Sequence, residues 1–67
     1  MKPLTARQVE KILAANGYVF RRMRGSHAIW YHAAKRHAVP VPRHGASVIP
    51  QGTLQSIFNG AGLPKPT

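Results

Sequence analysis

The stretch from Tyr18 to His32, YVFRRMRGSHAIWYH, is where the hydrophobic period of the chain drops to two. Tyr18 to Arg24 mixes aromatic, β-branched and cationic residues, which suits a strand with one wet face. Gly25-Ser26 supplies turn residues, and His27 to His32 resumes as a second strand. Two such runs joined by a glycine-led pair predict an antiparallel hairpin. On strand parity, a Trp30 that points to the core sends His27 and Tyr31 to the opposite, open face. A bulge near Gly25 would reverse that assignment.

Upstream of the hairpin, Thr5-Ala6-Arg7-Gln8 has the spacing of a capping box, with Leu4 and Val9 placed as a hydrophobic staple. Val9, Ile12 and Leu13 follow at helical spacing and Asn16-Gly17 supplies a left-handed stop, so a short amphipathic helix is expected over 6–16. Downstream, Ala33-Ala34-Lys35-Arg36 reads as a hairpin loop and His37 to Val41 as a third strand. Pro40 brings no donor, which puts that strand at an edge or a bulge. After a loop from Arg43 to Val48, Pro50 suits the first position of a last helix. Leu54, Ile57, Phe58 and Ala61 form its buried stripe, and Gly62 and Pro64 end it. The expected fold class is α+β in the order α-β-β-β-α, a three-stranded antiparallel sheet with two helices on one face. Tyr18, Phe20 and Trp30 are expected in the core, which leaves Tyr31 as a stacking surface for bases.

The chain has 67 residues, enough for a single domain over 1–67. No cysteine is present to staple so small a core. No apolar run approaches the roughly 18 residues of a membrane span, and the first residues lack the apolar middle of a secretory signal. A cytoplasmic protein with no membrane partner is the expectation.

Charge narrows the partners. Ten Lys and Arg stand against a single acid, Glu10, for a formal net charge of +9. Such a surface repels itself and draws polyanions. Nine of the ten cations lie in residues 1–43, so the phosphate-binding surface belongs to the first two thirds of the chain. One carboxylate cannot form the acid pair of a glycosidase or an acidic magnesium cluster, and a Ser-His-Asp triad has no Asp to orient its histidine. Nor do the histidines promise a metal: His27 and His32 are an odd separation apart on one strand, hence on opposite faces, with no thiolate to complete a shell. No metal and no small-molecule cofactor is expected.

Histidine remains. An imidazole ordinarily titrates near pH 6.5, so His27 suits proton transfer to and from the oxygens of a ribose phosphate. Attack of a ribose 2′-oxygen on the adjacent phosphorus cuts RNA without a metal and spares DNA. Arg21, Arg22, Arg24, Lys35 and Arg36 are placed to hold the phosphate and its developing charge. The plainer alternative is that His27 flanks a hairpin turn and the arginines are simply solvated.

Gly25-Ser26-His27, then Val41-Pro42-Arg43-His44-Gly45, then Gly52-Thr53-Leu54-Gln55-Ser56-Ile57 and Ala61-Gly62-Leu63 resemble the HicA toxin family, also called YcfA-like proteins. The blocks run in order over nearly the whole chain. The resemblance implies a fold similar to a double-stranded-RNA-binding domain and the activity of an mRNA interferase, an endoribonuclease that stops translation. It implies that the histidine of the Gly-Ser-His motif, His27, is catalytic, and that a HicB-type antitoxin binds the toxin and blocks the site; Ser26 and Arg43 are further RNA-binding candidates. An acidic partner suits a +9 surface. His44 is a second, weaker catalytic candidate, with ordering of its loop as the alternative role. The sequence departs from the family pattern at Ala28, Pro40 and Asn59-Gly60, none of them in the Gly-Ser-His motif.

The chief rival is a non-catalytic double-stranded-RNA-binding module. Such modules contact phosphates largely from the start of their last helix, yet Gln51 to Gly62 contains no Lys or Arg.

Overall fold

The computed structural model describes residues 2–66 in the order α1 (Ala6–Ala15), β1 (Val19–Arg24), β2 (His27–His32), β3 (His37–Pro42) and α2 (Gln51–Ala61). Helix α1 starts where the capping box places it. The Gln8 backbone N–H donates to Thr5 Oγ1 at 3.3 Å, and the Thr5 N–H donates to Gln8 Oε1 at 2.9 Å. Leu4 and Val9, the two arms of the staple, are both buried. The helix ends one residue earlier than expected, with Asn16 as its C-cap, and the turn that follows runs through Gly17 at φ +87°. A Cβ on Gly17 would also meet His32 Nε2 at 2.8 Å, so glycine is required there by conformation and by space.

The three strands form one antiparallel sheet in the order β1-β2-β3, so β1 and β3 are both edges. Pro40 and Pro42 lie on β3, the edge position that a missing donor demands. Ala28 pairs with Val41 and Trp30 with Val39, and this side of the sheet carries the core. Val9 and Leu13 of α1 meet Leu54, Ile57, Phe58 and Ala61 of α2 there. Both helices therefore cover one face. Truncating Phe58, which is fully buried, to Ala would cost about 3–5 kcal/mol, comparable to everything a core of this size supplies.

Helix α2 corrects one detail of the expected pattern. Pro50 is its N-cap and not its first residue, because its ψ of 141° is extended. Its carbonyl nonetheless accepts the Leu54 N–H at 2.9 Å and so begins the helical ladder. The other end stops at Gly62, left-handed at φ +69°. Phe20 is a second correction. It sits on the outermost strand, beyond the cover of the helices, and remains 47% exposed while touching Trp30 edge to face.

The only acid of the chain holds these parts together. Glu10 faces inward from α1 and is buried. It accepts from Trp30 Nε1 at 2.8 Å and from Arg43 Nε and Nη2 at 2.9 and 2.5 Å. One carboxylate thus joins α1, the central strand and the segment that leaves β3. The Arg43 hydrogen bonds hold its pKa below the ordinary carboxylate value, against the opposing effect of burial. A carboxyl depressed in the folded state stabilises the fold above its unfolded pKa, and that contribution is lost as pH falls. Glu10→Gln should accordingly lower the thermal midpoint at neutral pH, by on the order of 5 °C, and the gap from wild type should close as the pH falls below the ordinary carboxylate range. Thermal melts of both proteins between pH 3 and 7 check this.

Candidate active site

The hairpin geometry decides what the open face displays. Arg24 pairs with His27 and Arg22 with Ile29, while Phe20 pairs with Trp30 on the core side. The register shifts between Phe20 and Arg22, so Arg21 is an extra residue on the bulged strand. Two consecutive arginines consequently reach the same face. Arg21 lies over the Tyr31 ring at 4.6 Å, and Arg22 stands on the row that leads to Arg24. The bulge falls at Arg21 and not near Gly25, so the parity of β2 is undisturbed: Ala28 and Trp30 face the helices, and His27, Ile29 and Tyr31 face away.

A groove of about 620 Å³ opens on this face. Arg21, Arg22, Arg24 and His27 are its polar side, and Ile29, Ala38 and Pro40 its apolar floor. The size suits a nucleotide-scale ligand. His27 is exposed at the start of β2, immediately after the Gly25-Ser26 turn. Gly25 has φ +59°, which a two-residue turn demands and glycine adopts freely. The Arg43 N–H donates to the Ser26 carbonyl at 2.9 Å, so the residue before His27 is held by the chain leaving β3 as well as by the hairpin. The imidazole therefore projects from backbone fixed on two sides, directly across from Arg24.

The other sequence-predicted residues divide. Ser26 is exposed in the turn, next to His27. His44 is exposed in the loop after β3, one residue beyond the Arg43 tie to Ser26, and its carbonyl accepts the Ser47 N–H at 3.4 Å. Its side chain does not line the groove. Arg43 turns to the helix side, where Glu10 and the Phe20 ring, 5.5 Å away, engage its guanidinium. Arg36 has φ +50° in the β2–β3 hairpin loop, with Lys35 before it. With a rise of about 3.3 Å per residue, five residues of β2 separate that end from His27 by roughly 17 Å.

Lys35 reaches the end of α2. Its Nζ donates to the Ala61 carbonyl at 2.8 Å and lies 5.7 Å from the centre of the Tyr18 ring, whose hydroxyl donates to the same carbonyl at 3.3 Å. A cation there answers the exposed carbonyls and the negative end of the α2 dipole. Burial pushes the Tyr18 hydroxyl above its ordinary pKa, keeping it a donor. His32, on the core side, stacks edge to face with Tyr18 at 5.0 Å and accepts the Lys35 N–H at Nδ1. The histidines of β2 thus serve opposite faces.

The match of the HicA toxin profile, described as the HicA toxin of bacterial toxin–antitoxin pairs, covers residues 6–63. The chain belongs to the HicA toxin family. It is thereby the toxin half of a toxin–antitoxin pair, and the matched span takes in both helices, the sheet and the whole groove. No curated protein matches the HicA chain. Among the described residues, no helix is long and apolar enough to cross a membrane.

The arrangement predicts that Lys35→Ala destabilises this HicA protein by about 0.3–1 kcal/mol, the usual value of a cation at a helix C-terminus. Denaturant unfolding measures it, and Arg36→Ala, exposed on the same loop with no such contact, should change stability less.

Proposed function

We propose that the open face cuts RNA and that His27 is its acid–base group. The observation that carries this reading is the direct pairing of His27 with Arg24 on a groove that holds two further arginines and no carboxylate. An RNA phosphate seated between Arg22 and Arg24 lies beside the imidazole. His27 takes the proton of the adjacent 2′-hydroxyl, the 2′-oxygen forms a bond to phosphorus, and the 5′-oxygen leaves. The products are a 2′,3′-cyclic phosphate and a 5′-hydroxyl, and the arginines answer the charge gathered on the phosphoryl oxygens. His44, in the loop tied to Ser26, is the weaker candidate for returning a proton to the leaving oxygen.

Tyr31 under the Arg21 guanidinium gives a flat platform at the margin of the groove on which a neighbouring base stacks. Lys35 and Arg36, at the far hairpin, meet only a phosphate some nucleotides away, and Arg43 acts chiefly through the loop it anchors. The donor set supports a metal-independent route, since the one carboxylate of the chain is already bound by Trp30 and Arg43. As the toxin of a pair, the protein is restrained by an antitoxin of the HicB type whose acidic residues cover the groove, and its target in the cell is mRNA in the cytoplasm. A non-catalytic double-stranded-RNA-binding role finds less support, since α2 presents no cation at its start.

Wild type and His27→Ala, compared on a defined RNA with EDTA present, test the reading. Wild type should cut and leave cyclic phosphate ends. His27→Ala should keep its RNA affinity and lose at least about 100-fold in rate, the usual weight of general acid–base catalysis. His44→Ala should lose less. Arg22→Ala and Arg24→Ala should each weaken binding and reduce the salt slope by about one. Equal RNA binding by both proteins with no cleavage by either would leave a binding module instead.

A further inference from the structure

The two edges of the sheet are not alike. On β3, a proline fits a strand only where its nitrogen faces away from the ladder, so Pro40 and Pro42 strip the outer edge of donors. On β1 no proline intervenes, and all six residues from Val19 to Arg24 are exposed. Its outer backbone groups have no strand beside them. The margin is also apolar on the helix side, where Phe20 is 47% and Met23 43% exposed. Both stand on the core-facing parity, opposite Trp30 and Ala28, beyond the reach of helix cover. The same strand presents Arg21, Arg22 and Arg24 on the other face. An unpaired edge with an apolar ledge below it and three cations above it is a template for one kind of occupant.

We propose that β1 is the docking edge for the antitoxin, which adds an antiparallel strand carrying apolar residues on one face and acidic residues on the other. The inference rests on the reading above that an antitoxin covers the groove, and it says how. The added strand extends the sheet by main-chain hydrogen bonds along Arg22–Arg24, past the bulge. Its apolar side chains settle on Phe20 and Met23, and its acids reach across to the arginines from which His27 takes its phosphate. A single register serves both, because side chains alternate between faces.

Charge selects this occupant over a second copy of the chain. Pairing β1 with itself would set three arginines of one copy beside three of the other, on molecules that each carry +9. An acidic strand turns the same feature into attraction and a fast encounter. The bulge and the like charge then act as guards against self-association, while leaving the edge open to a partner of opposite sign.

The probe is a blocked peptide of about ten residues that alternates Glu and Val, set against a peptide of the same composition with all Glu first. Binding to the full chain is followed by calorimetry, and amide exchange along β1 by NMR. The alternating peptide should slow exchange of the outward amides of β1 by about tenfold or more at saturation, and the blocked-order peptide should not. Met23→Glu, which changes a side chain with no assigned role in the groove, should weaken the alternating peptide about tenfold, and Phe20→Glu gives a second reading on the same ledge. Equal binding of the two peptides with β1 exchange unmoved would overturn the proposal in favour of simple coating of the arginines. So would absence of binding, or protection of β1 in the free protein that rises with protein concentration, which marks a second copy. RNA cleavage is assayed separately. Strand addition on a chain that cuts no RNA would leave the docking edge standing and the nuclease reading fallen.

Discussion

Glu10 is the carboxylate on which the rest of the structure depends. A chain with ten cations and one acid has a single place to spend its negative charge, and it is spent inside. From α1 the carboxylate receives the indole of Trp30 and the guanidinium of Arg43. Three elements that are distant in sequence meet at those two oxygens. The tie also has a consequence on the far side of the sheet. With Arg43 drawn to the helices, its backbone N–H stays on the Ser26 carbonyl and braces the turn that carries His27. With Glu10 withdrawn from the surface, the open face holds arginines and a histidine with no carboxylate to neutralise them.

The bulge of β1 does the complementary work. In an unbroken strand, neighbouring arginines would point to opposite faces. The extra residue at Arg21 turns Arg21 and Arg22 the same way, and Arg24 follows on the alternate position. A groove with three cations along one side is the result. Positive charge concentrated beside a small apolar floor is the feature on which the proposed phosphate binding rests, and it lies within the span that matches the HicA toxin family.

Much of this was legible in the sequence, and the residues that were not share one cause. The capping box at Thr5, the stop at Gly17, the Gly25-Ser26 turn and the stripe through Phe58 are local signals, each read within a few positions and each found in place. The parity that sends His27 to the open face is equally local. Lys35 and Arg43 were legible as cations but their intramolecular partners were not, because the end of α2 and Glu10 lie 26 and 33 residues away. Phe20 read as core because hydrophobicity reports preference for burial, whereas its exposure follows from an edge strand beyond helix cover. The bulge has no residue signature of its own: Arg21 is an ordinary strand arginine until the register with Trp30 and Ile29 is known.

The central claim is that the groove cuts RNA through the ribose 2′-hydroxyl beside His27. The measurement that meets it most directly is cleavage of an RNA that carries a single 2′-deoxy nucleotide on the 5′ side of the preferred cut. Loss of that cut alone, with the remaining cuts and the overall affinity unchanged, is the predicted result. Cleavage at the deoxy position at the normal rate would contradict the account, because no 2′-oxygen would be there to attack.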